Sequence, residues 1–134
     1  MDAARTLAVA ERFVRFLETG EAAPGLFSAD VFCDFTPPQW RLQAEGVEAV
    51  VALRRRGHPG PGRVPRWRSD PTPTGFVIEF EERWQEGGRE WYSREMARAE
   101  LDGDASHELL VYCTCDWSAE RVEEHRSAVV LSRP

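Results

Sequence analysis

Lysine and asparagine are absent from the 134-residue chain, cysteine occurs three times, and no apolar run is long enough to cross a membrane. Each scarcity excludes something. With no run near the ~18 apolar residues that a helical span needs, no membrane segment is expected. Three cysteines are an odd number and too few for a disulfide framework, which implies free thiols in a reducing compartment. The start, "MDAARTLAVAERF", lacks the basic and uninterrupted apolar regions of a secretion signal, so a cytoplasmic location is expected. A chain of this length buries about two-thirds of its unfolded surface in one core, and needs neither metal nor disulfide for stability. All 17 basic residues are arginine, which reflects GC-rich codon usage and carries no functional reading. The net charge of −6 argues against a nucleic-acid partner, because phosphate neutralisation drives that affinity.

What is present is patterned. Asp2 is placed to cap a helix running to about Thr19, with Leu7, Ala10, Phe13, Val14 and Leu17 at helical spacing and Gly20 as its stop. "VFCDFTPP" reads as a short strand ended by two prolines, and a second short strand is expected around "WRLQAE". A helix follows from about Val47 to Arg56. The proline-rich "GPGRVPRWRSDPTPTG" can supply only an edge or bulged strand.

The clearest part is "FVIEFEERWQ", "REWYSREMARAEL" and "HELLVYCTCDW", three alternating runs joined by short turns, which describe an antiparallel meander. Phe76, Ile78, Phe80, Glu82 and Trp84 share one face of the first run. Trp91, Ser93, Glu95, Ala97 and Leu101 share one face of the second. The tail opens with a capped turn at Ser118 and ends in a β-rich "AVVL". Without repeats, low-complexity tracts or a dividing linker, residues 1–134 read as one domain. The expected class is α+β: N-terminal helices packed on a strongly curved antiparallel sheet, a cone-shaped barrel whose cavity is the default site.

An amphipathic helix ending at Gly20, then "LFSADVFCDFTP", then "EGVEAVVALRR", then three long strands resembles the nuclear transport factor 2-like superfamily over residues 3–117. That group includes SnoaL-like polyketide cyclases, ketosteroid isomerase, limonene-epoxide hydrolase and scytalone dehydratase. The resemblance implies a small-molecule cavity, and an acid or base at the end of the first strand, where Asp34 stands. The isomerase-like pattern places its base one residue later, at Phe35, and a helix tyrosine where this chain has Phe13 and Phe16. The hydrolase-like cluster needs an asparagine, which this chain lacks. A cyclase-like acid late in the meander corresponds to Asp116. The resemblance also implies a homodimer formed through the sheet, and a non-catalytic binding or interaction module as the rival reading.

The residues themselves add a second carboxyl pair. Glu82 and Glu95 fall on the apolar faces of adjacent strands, where desolvation and mutual repulsion raise a carboxyl toward neutral pH. Asp34, Asp116, Glu82 and Glu95 are therefore the candidate acids and bases of a cofactor-free cyclase, isomerase or dehydratase acting on a hydrophobic, polyketide-like metabolite. Phe80, Trp84, Trp91, Tyr112 and Trp117 are candidate walls.

In "VYCTCDW", Cys113 and Cys115 lack the spacing and second pair of a structural zinc site, so no metal is expected and they too are candidate pocket lining. Alternation leaves open which face of residues 108–117 looks inward. If the even face does, Asp116 is catalytic; if the odd face does, the cysteines are wall and Asp116 is a surface acid. Arg54, Arg55, Arg56, Arg63, Arg66 and Arg68, set against a single Asp between residues 54 and 78, read first as a solvated helix end and loop complementing the helix dipole, and alternatively as a dock for an acidic carrier protein.

Overall fold

The computed structural model describes residues 2–134. Helix α1, Ala3–Thr19, starts where the Asp2 carboxylate accepts the Ala4 N–H at 3.0 Å. It stops at Gly20, whose φ of 74° lets its N–H turn back onto the Phe16 carbonyl at 2.8 Å. Its buried stripe contains Val9, Ala10, Phe13, Val14, Phe16 and Leu17. Leu7, expected on that stripe, is exposed, and Thr6 takes its place with its hydroxyl returned to the Ala3 carbonyl.

Strands β1 (Phe27–Thr36) and β2 (Leu42–Glu45) precede helix α2, Val47–Gly57. Strands β3 (Gly62–Pro71), β4 (Gly75–Glu86), β5 (Arg89–Asp102) and β6 (Ala105–Cys113) follow, then β7 (Trp117–Ser118) and helix α3, Ala119–Ala128. The sheet order is β2-β1-β6-β5-β4-β3, with β7 added beside β5. It curves without closing, and α1 lies against β3 and β4. The molecule is α+β, as the pattern implied.

The proline-rich segment is an edge strand with a bulge between Arg63 and Arg66. The Val64 N–H freed there is taken by the Glu18 carboxylate of α1 at 3.0 Å. The meander is antiparallel throughout, but β1 runs parallel to β6, so the first strand is inserted beside the last long one. That non-local pairing has no signature in local periodicity. The expected third run is also shorter than its sequence: β6 ends at Cys113, and Cys115 adopts a φ of 68°. Ser118 does cap a helix, accepting the Arg121 N–H at 3.1 Å, but "AVVL" forms no strand and Val130 is almost wholly exposed.

Among the described residues, no helix is long and apolar enough to cross a membrane.

Candidate active site

Cross-strand register decides which side chains meet. Phe80 lies opposite Glu95 and Glu95 opposite Cys113, so one row crosses β4, β5 and β6 on the concave face. Cys33 and Phe35 of β1 pair with Leu109 and Val111 of β6 on that same face. Helix α1 contributes Phe13, Phe16 and Leu17 from above, and α2 contributes Val50, Leu53 and Arg54. Together they enclose a cavity of about 250 Å³. Its walls are mostly aliphatic and phenyl, and its polar lining comes from Arg54, His58, Glu95 and Asp116.

Four groups converge at one side. Among the described residues, His58, Glu82 and Glu95 form the one set of three ligand-type side chains whose donor atoms all lie within 4.8 Å of each other. Glu82 is 3 % exposed and Glu95 7 %. Arg54 grips Glu82 with both terminal nitrogens, Nη1 reaching Oε2 at 3.0 Å, and Nη2 also donates to the Leu17 carbonyl at 2.6 Å. This fork-to-fork pairing is the strong form of an ion pair and keeps a buried carboxylate compensated.

Glu95 has no such cation. Its Oε1 accepts the Cys113 thiol at 3.2 Å and, at a long 3.5 Å, the Ser93 hydroxyl, while no donor meets Oε2. Burial, then the neighbouring Glu82 carboxylate, hold Glu95 well above the ordinary carboxyl range. Burial alone would raise Glu82 too, but the hydrogen bond from Glu95 and the Arg54 guanidinium outweigh it and bring it below. The two carboxyls are thus driven apart, Glu95 toward its protonated form and Glu82 toward its ionised form, and a proton on Glu95 gives its unmet oxygen the role of a donor.

His58 completes the group. Its ring tilts against Trp84 with centroids 4.3 Å apart, and its Nε2 lies 4.0 Å from Glu82 Oε2. Burial, then the Arg54 charge, push its pKa down to about 4, so at neutral pH the imidazole is uncharged and the contact is no ion pair. Neither His58 nor Arg54 stood among the sequence candidates for the cavity. The signal was present: Val50, Arg54 and His58 continue the α2 stripe at steps of four.

The acids expected at the site divide. Glu82, Glu95 and Asp116 gather at one end of the cone. Asp34 does not: β1 alternation turns it to the convex face, while Cys33 and Phe35 line the cavity. There Arg41 and Gln43 hold its carboxylate, with Arg41 Nε at 3.0 Å and Gln43 Nε2 at 3.1 Å. The Arg41 hydrogen bond, ahead of the opposing effect of burial, keeps its pKa low. A low-pKa carboxylate with its oxygens occupied on the wrong side of the sheet corrects the expectation of an Asp34 base.

The two-way question about residues 108–117 has a third answer. Cys113 belongs to the inward, odd face of β6. The left-handed Cys115 then breaks the alternation, so Cys113, Cys115 and Asp116 all border the cavity, with Asp116 at its exposed rim. Burial raises the Cys113 thiol, with Glu95 adding to it, and burial raises Cys33 to about 11, so both stay protonated.

The tryptophans are likewise dispersed. Trp84 packs on His58, but Trp91 lies in a groove with Gly62 and Arg83, outside the cavity. Trp117 packs its edge on Tyr92 and against His125 of α3, each at 5.7 Å between centroids. Tyr112 is 60 % exposed on the convex face. Phe80 is the one expected aromatic that lines the cavity.

The arginine segment is no single patch. Arg54 turns inward, Arg55 donates to the Gly20 carbonyl at 3.0 Å, and Arg66 and Arg68 stand on the convex face opposite Glu81 and Glu79. With two of them facing acids on a different side of the molecule, the six do not form a continuous dock.

A conical α+β barrel whose helices cover a ligand-sized cavity is the fold of the nuclear transport factor 2-like proteins, and comparison with solved structures shows it. A nuclear transport factor 2-like protein from Anabaena variabilis superposes with a TM-score of 0.68 at 20% identity, over 87% of this chain and 94% of the other. A protein with a ketosteroid isomerase-like fold from Catenulispora acidiphila, in complex with trimethylamine, gives 0.64 at 13% identity over 78% and 83%. A candidate polyketide cyclase from Xanthomonas campestris gives 0.64 at 13% over 81% and 90%. No family model matches the sequence, and no curated protein matches it. At these identities the likeness is one of fold.

Proposed function

We propose that the chain is a cofactor-free acid/base catalyst acting on a hydrophobic small molecule, of the isomerase, cyclase or dehydratase type. The observation that carries this reading is Glu95. It is a carboxyl in the wall of an apolar cavity, nine-tenths buried, with one oxygen that no donor meets and a carboxylate beside it. Such a group keeps its proton to higher pH than an ordinary carboxyl and can give it to a carbonyl or a departing hydroxyl inside the cavity. Once Glu95 has given its proton to the carbonyl oxygen, its own carboxylate takes the α-hydrogen and is left protonated as it began, while Glu82, held by Arg54, stays ionised behind it. Arg54 prevents the pair from losing that charge. Ketosteroid isomerase-like and cyclase neighbours sharing the fold agree with proton-transfer chemistry in such a cone.

Proton transfer can be read without the natural substrate. In D2O, NMR should show the protein accelerating exchange of the α-hydrogens of small cyclic ketones, and Glu95→Gln should lose about 100-fold or more of that acceleration. Ketones that bind without any accelerated exchange would overturn the catalytic reading and leave a binding module.

The convex sheet face supports a second element of the reading, a homodimer. Exposed Met96 and Tyr112 stand beside strand rows of opposite sign, Arg66 and Arg68 on β3, Glu79 and Glu81 on β4, Arg94 and Arg98 on β5. A two-fold axis running between β4 and β5 would set each acidic β4 row against the basic β5 row of the other copy. Light scattering should report twice the chain mass, and Met96→Glu should lower it to one; a monomeric wild type at high micromolar concentration would reject the dimer.

A further inference from the structure

The charges around the cavity do not balance. Arg54 is consumed by Glu82 and the Leu17 carbonyl, His58 is neutral, and burial beside Glu82 shifts Glu95 toward its protonated form. That leaves Asp116 as a lining carboxylate with no cation of its own. Among the described residues none hydrogen-bonds to it, and the charges near it are Glu82, Glu86 and the Arg54 guanidinium already engaged by Glu82. Partial shielding of its carboxyl, then repulsion from those two acids, raise its pKa. An acid at the rim without a hydrogen-bond partner and the deeply buried Glu95 Oε2, which no donor meets, therefore both border one apolar space. The rest of its wall includes the rings of Phe13, Phe16, Phe35 and Phe80.

We propose that the ligand of this cavity is an amphiphilic amine, its protonated nitrogen at the rim against Asp116 and its apolar body among the four phenylalanines. At the rim an ammonium keeps part of its hydration, so the contact does not incur the desolvation cost of a buried ion. Ring faces accept the N-alkyl groups that carry the positive charge. The net charge of −6 attracts cations and repels carboxylate or phosphate ligands. The placing of the reacting group at Glu95 rests on the acid/base reading above; the ammonium site does not.

Calorimetric titration of the whole chain at pH 7.5 and low salt, with 3-phenylpropylamine, 3-phenylpropan-1-ol and 3-phenylpropanoate, tests this. The amine should bind about fivefold tighter than the alcohol, as expected for an ion pair open to solvent, and the carboxylate more weakly than either. The amine preference should shrink in 0.5 M salt, at a Debye length of about 4 Å. Asp116→Asn and Asp116→Ser should abolish it, and both should keep the wild-type circular dichroism because the residue lies outside the helices and the sheet. Glu95→Gln should keep the preference while losing ketone exchange, which separates the two readings. Equal binding of amine and alcohol, a preference that survives both Asp116 variants, or no binding of any of the three overturns the proposal.

Discussion

Two charges decide the behaviour of the buried cluster one residue at a time. Arg54→Met leaves Glu82 buried without a counter-ion and should lower stability by about 3–5 kcal/mol in urea unfolding, whereas Arg54→Met with Glu82→Met should recover most of the loss. His58 and Glu95 give stability opposite dependences on pH. The folded His58 pKa, about 4, lies below the unfolded value near 6.5, so the unfolded state binds the proton first. Its contribution is full above pH 6.5 and is lost as pH falls toward 4, by about 3 kcal/mol in all. Glu95 is raised, so its contribution is complete below the unfolded carboxyl value and is lost as pH rises. Between pH 7 and 5, Glu95→Gln should therefore weaken steadily on acidification, and His58→Gln should strengthen. Parallel slopes for the two variants would show that the assigned protonation states are wrong.

Among the elements, β4 and β5 approach each other closely where β4 begins. A Cβ on Gly75 would sit 1.9 Å from the Ala99 carbonyl oxygen, so no side chain fits without moving backbone. Gly75→Ala should cost about 1–3 kcal/mol, read as a lower urea midpoint at unchanged slope. The same elements show how far pattern reading reaches. Period-two alternation placed Phe80, Glu82, Glu95 and Ser93 on the inner face, because an antiparallel ladder fixes side-chain direction locally. It failed at residue 115, where a single left-handed φ turned Asp116 toward the cavity, a backbone choice that no residue type in "CTCDW" announces.

For the whole molecule, the cavity is the part of the core left unfilled. Val111→Phe should fold, because its ring has space to occupy, yet should lose calorimetric binding of 3-phenylpropylamine. Retained binding would place the ligand elsewhere.

Local periodicity, capping chemistry and strand alternation were enough to read the α+β class, the caps of α1 and α3, the edge status of β3 and the placing of Glu82 and Glu95 on one face of neighbouring strands. The rest came from packing between distant segments. The parallel insertion of β1 beside β6 turned Asp34 outward, and the closure of α2 over the sheet brought Arg54 and His58 onto Glu82. Both depend on contacts between segments tens of residues apart. Electrostatics in a buried site follow those distances, which no one-dimensional pattern encodes.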